Sequence, residues 1–251
     1  MILRLIGLWS DSSGTEWPQP ADHVDPGWDT SERKLVGDYL TYAYMTGVGA
    51  IPPVPCTICG TLLNRGASLT DGAYAWNSDL AHYITEHSVR LPQEFTNHIH
   101  ATVDAVRDPT WWKTAYTVAR RDDMLRSDPT HPRVLHEIGQ WADSEHPGFP
   151  SPRCQNPGWD ELDKECLTEY LQTCFVTEVT SDGTGTCQLC GQLVERSHIR
   201  TDGVFAWRSD LPHYVAEHDI NLPQPIIDRM NETIDAQIDW DWWKTVYATN
   251  Q

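Results

Sequence analysis

Apolar positions along the chain fall into short runs with two different periods. Ile2 to Trp9 is apolar enough for a strand, and Val134 to Trp141 matches it. After a Pro-rich loop and Gly27-Trp28-Asp29, the residues Leu35, Val36, Tyr39, Leu40, Ala43 and Tyr44 recur at helical spacing, which predicts a helix through about Tyr44. Asp29, Thr30 or Ser31 offers its N-cap. Asp71-Gly72 is a turn signal before the strand-like Ala73-Tyr74-Ala75-Trp76. Ser78 is a candidate cap for a short helix from Asp79 to about Glu86. Pro92 then opens a second helix with Phe95, Ile99, Val103 and Val106 on one side, matched later by Ile227, Met230, Ile234 and Ile238.

These elements occur twice in the same order. Gly27-Trp28-Asp29 returns as Gly158-Trp159-Asp160, and at that offset of 131 Trp111-Trp112-Lys113-Thr114 meets Trp242-Trp243-Lys244-Thr245. From Gly27 to Tyr116, 36 of 90 pairs are identical, too many for chance, so the chain is one unit written twice. A one-residue shift extends the match to the start, where Ile6-Gly7 and Trp9 meet Ile138-Gly139 and Trp141. The expected organisation is repeat 1 over 1–117, a polar linker over 118–132 and repeat 2 over 133–251. The fold class is α+β, a tandem duplication of a small zinc-binding ββα-containing domain.

Each repeat carries C-x2-C-x22-H-x4-H: Cys56, Cys59, His82 and His87, then Cys187, Cys190, His213 and His218. Two thiolates from a tight knuckle and two imidazoles from a helix are a common tetrahedral zinc set. All four residue types kept their spacing while most other positions diverged, so two zinc ions per chain are expected. A separation of five positions leaves the histidines about 140° apart on an ideal helix, so the helix should bend or finish before His87. Four protein ligands close the sphere, which points to structural rather than catalytic metal. Glu86 and Glu217 beside ligands give H-x3-E-H, a spacing that matches neither zincin pattern. Of the remaining cysteines, Cys166 and Cys174 fall on helical core positions, and Cys154 lies in a Pro-rich loop. An odd count of seven with no signal peptide fits a reducing, cytoplasmic setting.

Charge narrows the partners. Eighteen Lys and Arg against 36 Asp and Glu give −18, which disfavours nucleic acid and suits a basic protein. Residues 1–116 hold 7 basic and 13 acidic side chains, and 133–251 hold 8 and 20, so repeat 2 is the expected docking face, with Glu161, Asp163 and Glu165 as candidates. The Trp111-Trp112 and Trp242-Trp243 pairs either clamp the last helix of their copy onto the body or present aromatic anchors to a partner. No stretch is long and apolar enough for a membrane helix, and no phosphate-binding glycine loop or nucleophile elbow occurs, so no enzyme is expected.

The string Thr70-Asp71-Gly72-x-Tyr74-x-Trp76, with Leu80-x-His82-Tyr83, Glu86-His87 and Leu91-Pro92, resembles a family of uncharacterised bacterial proteins. Gly7/Trp9, Trp17-Pro18/Pro20 and Gly27-Trp28-Asp29 fit the same pattern, although repeat 2 has Phe149 in place of Trp17. The resemblance covers nearly the whole chain and implies a zinc site but no reaction. The resulting expectation is a non-enzymatic, acidic protein-interaction module, in its most concrete form an immunity or antitoxin-type inhibitor of a basic toxin. The alternatives are a nucleic-acid-binding zinc protein and a metalloenzyme with a site between the repeats.

Overall fold

A computed structural model describes residues 1–10, 17–49, 52–115, 133–152, 160–181 and 183–248. The linker, Cys154 and Trp159 lie outside the described residues. Repeat 1 gives β1 (Ile2–Leu5), α1 (Thr30–Thr41), β2 (Tyr44–Val48), β3 (Val54–Pro55), β4 (Leu62–Leu63), β5 (Ala67–Thr70), β6 (Tyr74–Asn77), α2 (Leu80–His87), α3 (Gln93–Val103), β7 (Val106–Asp108) and α4 (Thr110–Ala115). Repeat 2 runs through the same series: β8 (Val134–Ile138), α5 (Glu161–Thr173), β9 (Phe175–Val179), β10 (Thr184–Thr186), β11 (Leu193–Glu195), β12 (His198–Thr201), β13 (Phe205–Arg208), α6 (Leu211–His218), α7 (Gln224–Ile234), β14 (Gln237–Asp239) and α8 (Asp241–Ala248). The fold is α+β and duplicated.

Two compact units form, and they do not coincide with the sequence repeats. The first comprises Met1–His100 with Thr233–Gln251, the second Ala101–Glu232. The sheet orders give the reason. The first unit's sheet runs β14-β1-β6-β5-β2 and the second's runs β7-β8-β13-β12-β9. Each repeat therefore donates its last strand and helix to the unit built mainly from the other repeat. β14 pairs in parallel with β1, Leu3 opposite Ile238, and β7 pairs in parallel with β8, Leu135 opposite Arg107.

The central strands explain the core. Tyr74 and Trp76 share one face of β6, two residues apart, and pack edge-on against Phe95 at 4.8 and 5.9 Å. Trp76 also donates its indole N–H to Leu40 O at 2.9 Å, and Trp207 does the same to Leu171 O. Ala75, on the other face, joins Leu3, Leu5, Leu8 and Ile238. With both faces covered, β6 reads as a continuous buried run.

Several boundaries differ from the sequence pattern. α1 starts as expected, with Asp29 accepting from the backbone N–H groups of Ser31 and Glu32. It ends at Thr41, and Tyr44 opens β2, whose antiparallel pairing with β5 overrides a helical period that Ala43-Tyr44 merely extends. Val106 and Ile238 are strand residues, because the sheet edges at β1 and β8 offer backbone partners that a longer helix lacks. On α7 the buried position is Ile226, in the place of Phe95, and Ile227 is only half-buried. Ser78 does not cap α2; its hydroxyl donates to Asn64 O. Cys174 is buried and Cys166 half-buried.

The contact of the ligand-bearing helix with α1 or α5 has been re-fitted between repeats. A Cβ on Gly37 would stand 2.7 Å from the Thr85 methyl. In repeat 2 the corresponding pair is Thr168 and Ala216, large and small exchanged. Gly37→Thr alone is expected to cost about 1–3 kcal/mol through overpacking, and adding Thr85→Ala should restore most of it. Denaturant unfolding of both variants measures the coupling.

Candidate metal centres

In each unit the four sequence-predicted ligands converge. Cys56, Cys59, His82 and His87 place one ligand atom each within 4.8 Å of the others, and Cys187, Cys190, His213 and His218 do the same. The knuckle is a hairpin between β3 and β4, closed by Cys56 N–H to Thr61 O and Gly60 N–H to Cys56 O, both at 2.8 Å. Gly60 sits at φ +75° and Gly191 at +76°, a conformation open to glycine at little cost, which folds the second cysteine back over the turn. The histidines occupy the first and last turns of α2 and α6. Contrary to expectation the helix includes His87 and stops directly after it. Ser88 takes the left-handed conformation, with its own N–H on Ile84 O and Val89 N–H on Tyr83 O, each at 3.1 Å, closures that end the helix cleanly. The long imidazoles bridge the remaining angle, and His82 and His87 bring their Nε2 atoms within 3.2 Å.

Sulfur-to-nitrogen separations are 3.4 Å for both Cys56–His87 and Cys59–His82, and 3.3 and 3.5 Å for Cys187–His218 and Cys190–His213. Such even spacing describes donors disposed about a common centre. Their protonation agrees. Hydrogen bonds from the Thr61 hydroxyl and backbone, with His82 and His87 behind them, bring the Cys59 thiol down to about 5, into thiolate form at neutral pH. Burial would raise Cys187, but the amides of Cys190 and Leu189, with the Cys190 thiol and the Tyr214 hydroxyl, outweigh it and lower it. Burial and the neighbouring His218 lower His213, favouring the neutral imidazole that a metal binds.

Residues proposed as partner contacts divide. Glu161, Asp163 and Glu165 are exposed on α5. Trp111, Trp112 and Trp243 are buried, so they are core rather than surface anchors, and only Trp242 keeps partial exposure. They anchor α4 and α8, the helices that contain them, rather than the preceding α3 and α7, and they do so onto the sheet begun by the other repeat. Trp112 Nε1 donates to Gln140 O and Trp243 Nε1 to Leu8 O, each at 2.6 Å.

Asp71 of the Thr-Asp-Gly motif serves the fold. Its Oδ1 accepts from the Ala73 and Tyr74 amides, and its Oδ2 accepts from the Tyr39 hydroxyl at 2.7 Å and faces His98 Nε2 at 2.9 Å. Asp202 repeats this with Tyr170, and Arg229 takes the place of His98. Burial alone would raise the Asp71 carboxyl, but the charge and hydrogen bond of His98 and the Tyr39 hydroxyl hold it at about 2, below its usual 3.8. A folded-state value below the unfolded one stabilises the fold above the unfolded value and fades as pH falls toward 2, by roughly 2 kcal/mol in all. The stability gap between wild type and Asp71→Asn should therefore narrow on acidification from pH 5, as followed by denaturant titrations.

Sequence reasoning gave no site role to Tyr83 and Tyr214, whose hydroxyls reach the knuckles, or to the Arg65–Asp79 and Arg196–Asp210 pairs. Their identity at the offset of 131 was the available signal. No helix among the described residues is long and apolar enough to cross a membrane. No protein-family model, curated protein or solved structure matches the chain.

Proposed function

We propose that each unit holds one zinc ion in a structural role, and that the chain is a non-enzymatic, acidic protein-interaction module. The spacing of the donors carries the metal assignment. Tetrahedral zinc, at about 2.3 Å from sulfur and about 2.0–2.1 Å from nitrogen, sets S···N edges of about 3.6 Å and N···N edges of about 3.3 Å. The separations of 3.3–3.5 Å and 3.2 Å fit those edges. Two thiolates and two imidazoles also suit zinc better than the hard, oxygen-seeking cations. Bound there, zinc supplies a fixed crosslink between knuckle and helix. Cys56, Cys59, His82 and His87, or Cys187, Cys190, His213 and His218, fill its four positions.

Surface charge supports a basic protein partner. On α5 the exposed Glu161, Glu165 and Glu169 border a shallow groove of about 240 Å³ that Lys164 and Gln172 also line, and Asp163 is exposed on the same helix. The corresponding residues of α1 are Thr30, Glu32, Lys34 and Asp38, a weaker field. The most concrete form of the reading is an immunity or antitoxin-type inhibitor that covers the cationic site of a toxin. A nuclease-treated affinity pull-down from the native host is expected to return a stoichiometric basic protein. Glu161→Gln, Asp163→Asn and Glu165→Gln together should slow its association several-fold at low salt and much less at high salt. An unchanged on-rate would remove α5 as the docking face.

A further inference from the structure

Each ligand group is backed by a buried tyrosine. Tyr83 and Tyr214 directly follow the first histidine ligand and are 1% and 0% exposed. Their rings lie 5.9 Å from those of His82 and His213, and 6.4 and 6.1 Å from those of His87 and His218. Each hydroxyl reaches into the knuckle. Tyr83 accepts the Thr57 N–H at 3.4 Å and Tyr214 accepts the Gln188 N–H at 3.1 Å, in both cases from the residue after the first cysteine. A phenol that accepts there still has its own proton to place, and a buried O–H needs an acceptor. The first cysteine, Cys56 or Cys187, immediately precedes the residue that donates that N–H, and the phenol lies within electrostatic reach of its sulfur. A metal-bound thiolate is an acceptor, and the Leu189 N–H already points at Cys187 Sγ from 3.4 Å.

The hydroxyl is held from behind. Arg196 stands beside the Tyr214 oxygen and is fixed by Asp210 Oδ2 at 2.6 Å, the carboxylate being 3% exposed. Arg65 and Asp79 form the same pair in the first unit at 2.5 Å. Tyrosine, arginine and aspartate all survive unchanged in both repeats.

We propose that Tyr83 and Tyr214 are outer hydrogen-bond donors to the knuckle thiolates of Cys56 and Cys187. They are positioning residues, and the proposal rests on the zinc reading above. The O–H holds the sulfur toward the metal and withdraws part of its negative charge. That makes the thiolate a poorer target for protons and electrophiles, so the metal is retained. The Arg–Asp pair fixes the phenol so that its proton has one direction to point.

The test uses the full chain with Tyr214→Phe and, separately, Tyr83→Phe, which keep the ring and remove only the oxygen. Wild type and variants are loaded with zinc for release to a chromophoric chelator, and with cobalt for the sulfur-to-metal charge-transfer band. Each variant is expected to hold one of its two ions about 10–100-fold less tightly, with the other site unchanged and the cobalt band moved to lower energy. A tyrosine that only packs would lower the melting temperature without moving the band. Wild-type release from both sites together with an unmoved band in either folded variant overturns the proposal. A wild-type chain that takes up neither zinc nor cobalt overturns the zinc reading itself, and is recognised before any variant is compared.

Discussion

Trp243→Ala is expected to unfold the unit that carries Cys56, Cys59, His82 and His87, although Trp243 belongs to the second sequence repeat. The indole is fully buried, donates to Leu8 O at 2.6 Å and meets Trp9 edge-on at 5.1 Å. It also anchors the segment whose strand β14 lies against β1. Truncating a core tryptophan costs about 3–5 kcal/mol, a large part of the roughly 5–15 kcal/mol that holds a domain together. Trp112→Ala should act on the other unit, where Trp112 packs on Trp141 at 5.4 Å and donates to Gln140 O. Hydrogen exchange read by peptide separates the two cases. Trp243→Ala should accelerate exchange across 1–100 and leave 133–232 protected. Acceleration confined to 133–248 would mean that each repeat completes itself.

Cys56→Ser and Cys187→Ser are expected to remove one metal ion each and to melt mainly the unit that holds it. Structural zinc contributes an apparent 10–16 kcal/mol in small metal-dependent domains, which exceeds the usual margin of stability. Because the first unit includes 233–251, loss of the Cys56 site should also loosen β14 and α8 at the far end of the chain. Loss of the Cys187 site should likewise expose β7 and α4. Thermal unfolding with metal analysis follows the first effect, and exchange at the donated segments follows the second. Either variant retaining full stability after chelation would argue against a structural metal.

The two candidate metal centres were legible because a four-ligand site requires residue type and spacing together. The spacing from Cys56 to His87 recurs unchanged from Cys187 to His218, and that second copy made the pattern visible. The capped start of α1 and the turn at Asp71-Gly72 were legible for the same local reason, since each depends on one residue's own geometry. The exchange of terminal segments was not. The segments from Val106 and from Gln237 share Asp108/Asp239 and Trp-Trp-Lys-Thr, so either one satisfies the pattern of either sheet edge, and periodicity carries no information about which copy supplies it. Tyr83 and Tyr214 were missed because a buried tyrosine beside a ligand reads as core until the position of its oxygen is known. Trp111, Trp112 and Trp243 were ambiguous for a related reason: tryptophan is favoured both in cores and at binding surfaces, and only burial separates the two.

Native mass spectrometry of the full chain, purified without added chelator, weighs the bound metal and the compactness of the chain together. The predicted mass is that of one chain plus two zinc ions, with both lost, and the compact charge states lost with them, on acidification or chelation. A compact chain that carries no metal, or stays compact after both ions leave, would rule out structural zinc.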